Sequence, residues 1–161
     1  MRNEPVESPL FVTSRPPRPA DAVAALLVLD DGRYVMQLRD TLPGIFFPGH
    51  WGCFGGALEE GEQPIDALRR ELREEIEFEP EVVRYFSQID LDFSPLGYFK
   101  VFRAYFEVRV AESALATFVL HEGADMRAIG GQDLLANYRV TPYDAFVLWM
   151  HLSQRKFGAA R

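Results

Sequence analysis

Cysteine is nearly absent: Cys53 stands alone among 161 residues. A lone cysteine excludes an internal disulfide framework. The three histidines, at positions 50, 121 and 151, form no Cys/His cluster of the kind that holds zinc. Long apolar runs are missing as well, and none reaches the length of a membrane-spanning helix. Basic residues are in the minority, 17 Lys and Arg against 24 Asp and Glu, for a net charge of −7. A nucleic-acid backbone is bound through basic patches, so neither a nucleic acid nor a membrane is an expected partner. The first twenty residues lack the basic-then-apolar layout of a signal peptide. A cytoplasmic location is the expectation that these absences leave.

What remains is an ordinary globular composition, 48% apolar and 25% charged, and enough chain to bury one core. Five of the eleven prolines fall in residues 1–19, including Arg15-Pro16-Pro17-Arg18-Pro19. That stretch is excluded from helix and poor as strand. The expectation is an extended Pro-rich N-terminal arm over residues 1–19, lying on the domain or on a partner subunit, then a single domain over 20–161.

The chain is organised around Gly55 to Phe78, GGALEEGEQPIDALRRELREEIEF. A glycine pair leads through an acidic turn into Pro64, a residue suited to the first position of a helix. Ile65, Leu68, Leu72 and Ile76 recur at helical spacing as an apolar stripe. Glu71, Glu74 and Glu75 sit at i, i+3 and i+4 on its flank, and Arg70 lies one turn before Glu74. Like charges so placed repel, and a cation between them reverses the sign. Carboxylate oxygens are hard ligands, which suits Mg²⁺ or Mn²⁺. From Glu59 to Glu81 there are ten acidic and three basic residues. A phosphorylated substrate would be repelled there unless divalent metal neutralised the site. The residues alone leave a solvated acidic helix face as the other reading.

The spacing Gly56, five residues, Glu62, seven residues, Arg70-Glu71-Leu72, one residue, Glu74-Glu75, then Phe78 two places beyond Ile76 resembles the Nudix box. Its pattern is G-x5-E-x7-R-E-U-x-E-E-x-G-U, with U an apolar residue. One fixed place departs: Glu77 stands where that family has glycine. A glycine at a helix end supplies the left-handed cap, and Glu there costs on the order of 1 kcal/mol, unless the helix ends differently before Pro80. A local change at the helix exit, with activity retained, is the expectation.

Around the box, Ala22–Leu29 and Arg33–Arg39 read as a hairpin about Asp30-Asp31-Gly32. Arg39 is either an exposed strand end or a phosphate contact. Leu42 to Phe54 reads as a loop and short strand, with His50 a loop residue and Cys53 a small buried one. Val82 to Phe93 alternates, with Val83, Tyr85, Ile89, Leu91 and Phe93 on one face. A turn at Ser94–Gly97 leads to a strand over Tyr98–Val110, in which Arg103 is either a phosphate contact or part of a plain surface strand. Leu115–His121 reads as a further strand, then a polar loop with Glu122, a short strand over Met126–Ile129 and a helix over Gly130–Ala136. Thr141-Pro142 opens the last helix, with Asp144 completing a capping box. Its apolar run, Ala145–Met150, is buried either in the core or at a subunit contact, which makes a homodimer an expected possibility.

The fold class expected from this order is α/β, a mixed sheet between helices; the resemblance implies the Nudix-type α/β/α sandwich over nearly everything after residue 20. It further implies a Mg²⁺- or Mn²⁺-dependent hydrolase that cleaves the phosphoanhydride of a nucleoside diphosphate linked to some group X. Glu71, Glu74, Glu75 and the Gly55 carbonyl are the implied metal ligands. Gly56, Glu62 and Arg70 are the implied structural support. Glu122, or else a box glutamate such as Glu74 or Glu75, would take the proton from the attacking water. Trp51, Phe54 and Tyr105 are candidates to stack on a base. A nucleotide-sensing module without turnover and a metal-dependent diphosphate isomerase are the alternatives.

Overall fold

The structure, a computed structural model, describes residues 21–97 and 100–158. The proline-rich arm and Tyr98, the expected start of a strand, lie outside these residues. Strands β1 (Ala22–Leu29) and β2 (Tyr34–Leu38) form the expected antiparallel hairpin. Two residues, Trp51 and Gly52, make β3 against the end of β2. Helix α1 (Pro64–Ile76) follows, then β4 (Val83–Asp92), a 3₁₀ turn at Ser94–Leu96 and β5 (Lys100–Val110). A short α2 (Glu112–Leu115), β6 (Asp125–Ile129), α3 (Gly131–Asn137) and α4 (Pro142–Gly158) complete the order.

The sheet is mixed. Among the described residues its order is β3-β2-β1-β5-β4, with β6 also paired to β2; β1 and β5 are parallel and the other pairs antiparallel. β1 lies centrally and is buried from Val23 to Leu29, which is why it reads as an unbroken apolar run. Its side chains alternate between two cores. Val23, Ala25, Leu27 and Leu29 pack with Ala67, Leu68, Leu72 and Ile76 of α1. Ala24, Leu26 and Val28 pack with Leu134 of α3 and with Tyr143, Val147 and Leu148 of α4. The expected α/β/α sandwich is the fold found.

Three expectations change. Leu115–His121 is not a strand: α2 and a turn occupy its first half. The remainder runs extended past the end of α1, where the Val119 and His121 amides donate to the Ile76 and Glu75 carbonyls at 3.3 and 2.8 Å. The last carbonyls of a helix lack intrahelical partners, and this segment supplies two. Second, β4 does not present one apolar face. A bulge between Tyr85 and Ser87 sends Val83 to the α1 core and Ile89, Leu91 and Phe93 to the α4 core, leaving Tyr85 exposed. Third, the apolar run of α4 divides: Val147 and Leu148 are buried in the core, while Trp149 is exposed. No helix among the described residues is long and apolar enough to cross a membrane.

Candidate active site

The starts of β1 and β5, the end of β2 and the segment after β3 meet at one end of the sheet. There the chain from Phe54 to Ala57 runs beside β1: the Ala25 and Val23 amides donate to the carbonyls of Phe54 and Gly56 at 2.8 and 2.9 Å. The Gly55 carbonyl, between them, is not committed to β1. Gly55 has φ +134°, and a β-carbon there would collide with the Val23 carbonyl oxygen. A β-carbon on Gly56 would fall 2.5 Å from the Glu71 carboxylate. The two glycines thus have different reasons: one lets the backbone approach β1, the other lets a glutamate approach the backbone.

Helix α1 lays its last turns against this glycine pair. Glu75 is only 4% exposed. Its carboxylate accepts from the Gly55 amide at 2.8 Å and from Gln37 Nε2 at 3.2 Å. Burial pushes its pKa up to about 7, against those two hydrogen bonds, and the charges of Glu71 and Glu122 raise it further. Glu71 is also raised, first by burial, with Glu74 and Glu122 adding to the effect and Arg70 opposing it. Three carboxylates from two distant segments therefore confine negative charge at one place.

Arg70 fixes the surroundings. Its Nε and Nη2 fork onto Glu62 at 2.9 Å each, its Nη1 donates to Glu71 at 2.8 Å and Glu74 at 3.2 Å, and Nη2 reaches the Ala57 carbonyl at 3.0 Å. The fork and its charge hold the Glu62 carboxyl below the usual range. Glu74, with its side chain 59% exposed, stays on the outer flank with Arg70 and does not line the cleft.

A cleft of about 570 Å³ opens over Glu75 and is lined also by Gln37, Arg39, Asp40, Gly55, Gly56, Arg103 and Glu122. Glu122 arrives because the His121 amide is tied to the Glu75 carbonyl and Gly123 N–H donates to Asp40 at 3.2 Å. Arg39 lines the same cleft, with Nε donating to the Phe46 carbonyl at 2.8 Å. Arg103 lines it from the α4 side, its guanidinium 4.7 Å from the centre of the Tyr143 ring and 3.8 Å from Asp144.

The expected stacking residues are corrected. Phe54 and Tyr105 are fully buried, and the Tyr105 hydroxyl donates to Asp144 at 2.7 Å. Trp51 is 7% exposed and packs edge-on to Tyr138. All three rings belong to the core and have no face to offer a base. Asp144 does more than cap: it is buried and accepts from the Thr141 hydroxyl, the Cys53 amide and the Tyr105 hydroxyl. Gln37, Asp40 and this role of Asp144 were missed in the sequence. Gln37 had one signal, a polar residue in an otherwise apolar strand.

Glu77 takes the conformation that glycine would. At φ 54° and ψ 35° it makes the left-handed helix exit, with the Glu77 and Phe78 amides returning to Arg73 and Leu72 carbonyls at 3.1 Å each. Its side chain meets His121 Nε2 at 2.7 Å.

The donor set suits a hard divalent cation: carboxylates and a backbone carbonyl, with no sulfur or imidazole among them. Repulsion among Glu71, Glu75 and Glu122, and the cradle at Gly56, also fit one. Among the described residues no three His, Cys, Asp or Glu side chains are closed round a single point. The donors are gathered, and Glu74 is not fixed by burial.

A model of the NUDIX domain matches residues 18–158. A nucleoside triphosphatase, NudI of Escherichia fergusonii, is 46% identical over 50 residues, which cover 31% of this chain and 35% of that protein. The match thus spans about a third of that relative. Among solved structures, a MutT protein from Methanosarcina mazei superposes with a TM-score of 0.71 at 19% identity, over 85% of this chain and 95% of that one. The NUDIX domain of Shewanella oneidensis NrtR, complexed with ADP ribose, superposes with a TM-score of 0.68 at 15% identity, over 86% of this chain and 89% of that one. These structural likenesses concern the fold.

Proposed function

The chain belongs to the NUDIX family, and from that premise we infer that it is a hydrolase cleaving the phosphoanhydride of a nucleoside diphosphate linked to X, with Mg²⁺ or Mn²⁺ as cofactor. The observation that carries the reading is Glu75, a buried carboxylate held by Gly55 and Gln37 at the floor of a cleft that Glu122 and Arg39 also line. A structural role does not require a carboxyl so buried with its pKa raised toward 7.

Gly55, Glu71, Glu74 and Glu75 would hold the metal, which when bound neutralises phosphate charge and acidifies water. The remaining work belongs to the chain. Arg70 keeps Glu71 and Glu62 in one arrangement, so Glu71 needs no ordering when substrate arrives, whereas the exposed Glu74 would have to turn in from the outer flank. Arg39, just past the end of β2, would face the phosphates. Glu122 accepts the proton of the attacking water on its carboxylate. In-line attack on phosphorus then depends on positioning and electrostatics more than on covalent chemistry. The left-handed exit at Glu77 keeps the helix end of an intact box, so this departure gives no support to a sensing module without turnover.

The test is release of phosphate and pyrophosphate from a panel of nucleoside triphosphates, nucleotide sugars, ADP-ribose and dinucleotide polyphosphates. Each is run with Mg²⁺, with Mn²⁺ and with chelator, beside Glu75→Gln. Turnover that needs metal and falls about a hundredfold or more in the variant, several kcal/mol of barrier, supports the reading. Tight nucleotide binding with no turnover on any substrate would overturn it.

A further inference from the structure

Two arginines flank the cleft region with mostly buried side chains, and they use their donors in opposite ways. Arg70, 20% exposed, commits all three of its nitrogens to hydrogen bonds. Arg103, 13% exposed, makes no hydrogen bond from its guanidinium to any described residue. Two buried side-chain nitrogens among the described residues lack partners, Nε of Arg69 and Nε of Arg103, and the second belongs to a residue that lines the cleft. An idle buried donor costs free energy and calls for an acceptor.

The surroundings explain how the group is held without being bonded. Asp144 lies 3.8 Å away, close enough to compensate charge, yet its oxygens already accept from Thr141, Cys53 and Tyr105. The buried Tyr143 ring lies against the guanidinium. Charge and ring hold the guanidinium in place, and none of its nitrogens donates to a described residue. Arg103 belongs to the α4 side of the sheet, whereas Glu75 and Gln37 belong to the α1 side; they share the cleft because it wraps the sheet end. A substrate whose phosphates lie by Gly55 and Glu75 would bring its other end to Arg103.

We propose that Arg103 is the specificity-determining residue for the nucleobase, a fixed fork that selects a base with two adjacent acceptor atoms. Guanine offers O6 and N7 side by side; adenine sets an amino donor beside N7. Cytosine has N3 next to O2, while the two oxygens of uracil are separated by an N–H. A further phosphate fits less well. Arg103 and Asp144 together are near neutral, and a second anion would be brought against the Asp144 carboxylate. Arg39 makes no carboxylate ion pair with a described residue, its Nε donating to the Phe46 carbonyl, and is the better phosphate residue. The proposal rests on the nucleotide reading of the cleft.

Calorimetric titration of the metal-loaded protein with GMP, CMP, AMP, UMP and inorganic pyrophosphate tests it. GMP and CMP should bind at least tenfold more tightly than AMP and UMP. Arg103→Met should abolish that difference while leaving pyrophosphate affinity unchanged. Arg103→Lys should retain binding and lose discrimination, since a point charge lacks the fork. If Arg103→Met leaves Asp144 unpaired and fails to fold, the double variant with Asp144→Asn removes both charges and is read the same way. Equal affinity of the wild type for all four bases overturns the proposal alone. So does a uniform loss of every nucleotide and of pyrophosphate in the variant, which would make Arg103 a phosphate anchor. Absence of any nucleotide binding would instead remove the nucleotide reading beneath it.

Discussion

Glu75 has two states with different consequences for the chain. Its folded pKa is near 7 where an exposed glutamate has 4.5, so the folded protein keeps a proton that the unfolded chain releases. In metal-free protein the corresponding stability is fully present below about pH 4.5 and is lost as pH rises through 7, by about 3 kcal/mol in all. Urea midpoints measured across that range in chelator should fall for the wild type and stay flatter for Glu75→Gln; parallel curves would contradict the burial argument. The adjacent glycines separate fold from function. Gly55→Ala must collide with β1 backbone at a positive φ and should cost several kcal/mol of stability, seen as a large drop in Tm. For Gly56→Ala the nearest atoms are all of the Glu71 carboxylate, the end of a side chain, so it should spare Tm by comparison and weaken Mg²⁺ dependence and turnover. Equal Tm losses for the two would refute this division.

At the level of elements, α1 and its partners show how far sequence reading reached. The helix from Pro64, its apolar stripe and the β1–β2 hairpin were all legible, because periodicity and turn chemistry are local. The extended path of 119–121 was not. Its hydrogen bonds go to the end of a helix more than forty residues earlier, and no local pattern encodes that. The bulge at Phe86 was equally hidden: one extra residue reverses the faces of β4 without disturbing its alternation on paper. Glu71 and Glu75, which a fixed motif spaces, do come together against the Gly55-Gly56 pair. Phe54 and Tyr105 were misjudged because an aromatic side chain gives the same signal in a core as in a cleft. The Glu77 exit yields a prediction at this scale. Glu77→Gly relieves left-handed strain of about 1 kcal/mol and removes an exposed contact with His121 that contributes less than that. Thermal melts should therefore show Tm unchanged or higher, with hydrolysis retained; a fall of several degrees would mean that the His121 contact is the stronger term.

For the whole molecule, the cleft is the place where both helical layers meet around the sheet end, and Asp144 ties the α4 layer to it. Its carboxylate joins α4, β5 and the residue after β3 through Thr141, Tyr105 and Cys53, beside the charge of Arg103. Asp144→Ala would leave three donors and a guanidinium without compensation and should cost more than about 3 kcal/mol in chemical denaturation. Asp144→Asn, which keeps one carbonyl oxygen, should cost less; equal costs would show that charge compensation, not hydrogen bonding, is what the residue supplies. The tie between 119–121 and the end of α1 has a kinetic consequence of another kind. Because the His121 amide is bonded to the carbonyl of Glu75, the loop bearing Glu122 cannot lift without exposing the last turn of the helix. Loop and helix end should therefore open as one unit of local unfolding, with their amide hydrogens exchanging for deuterium at a common rate, so that the candidate base and the buried carboxylate would be lost and regained in the same event.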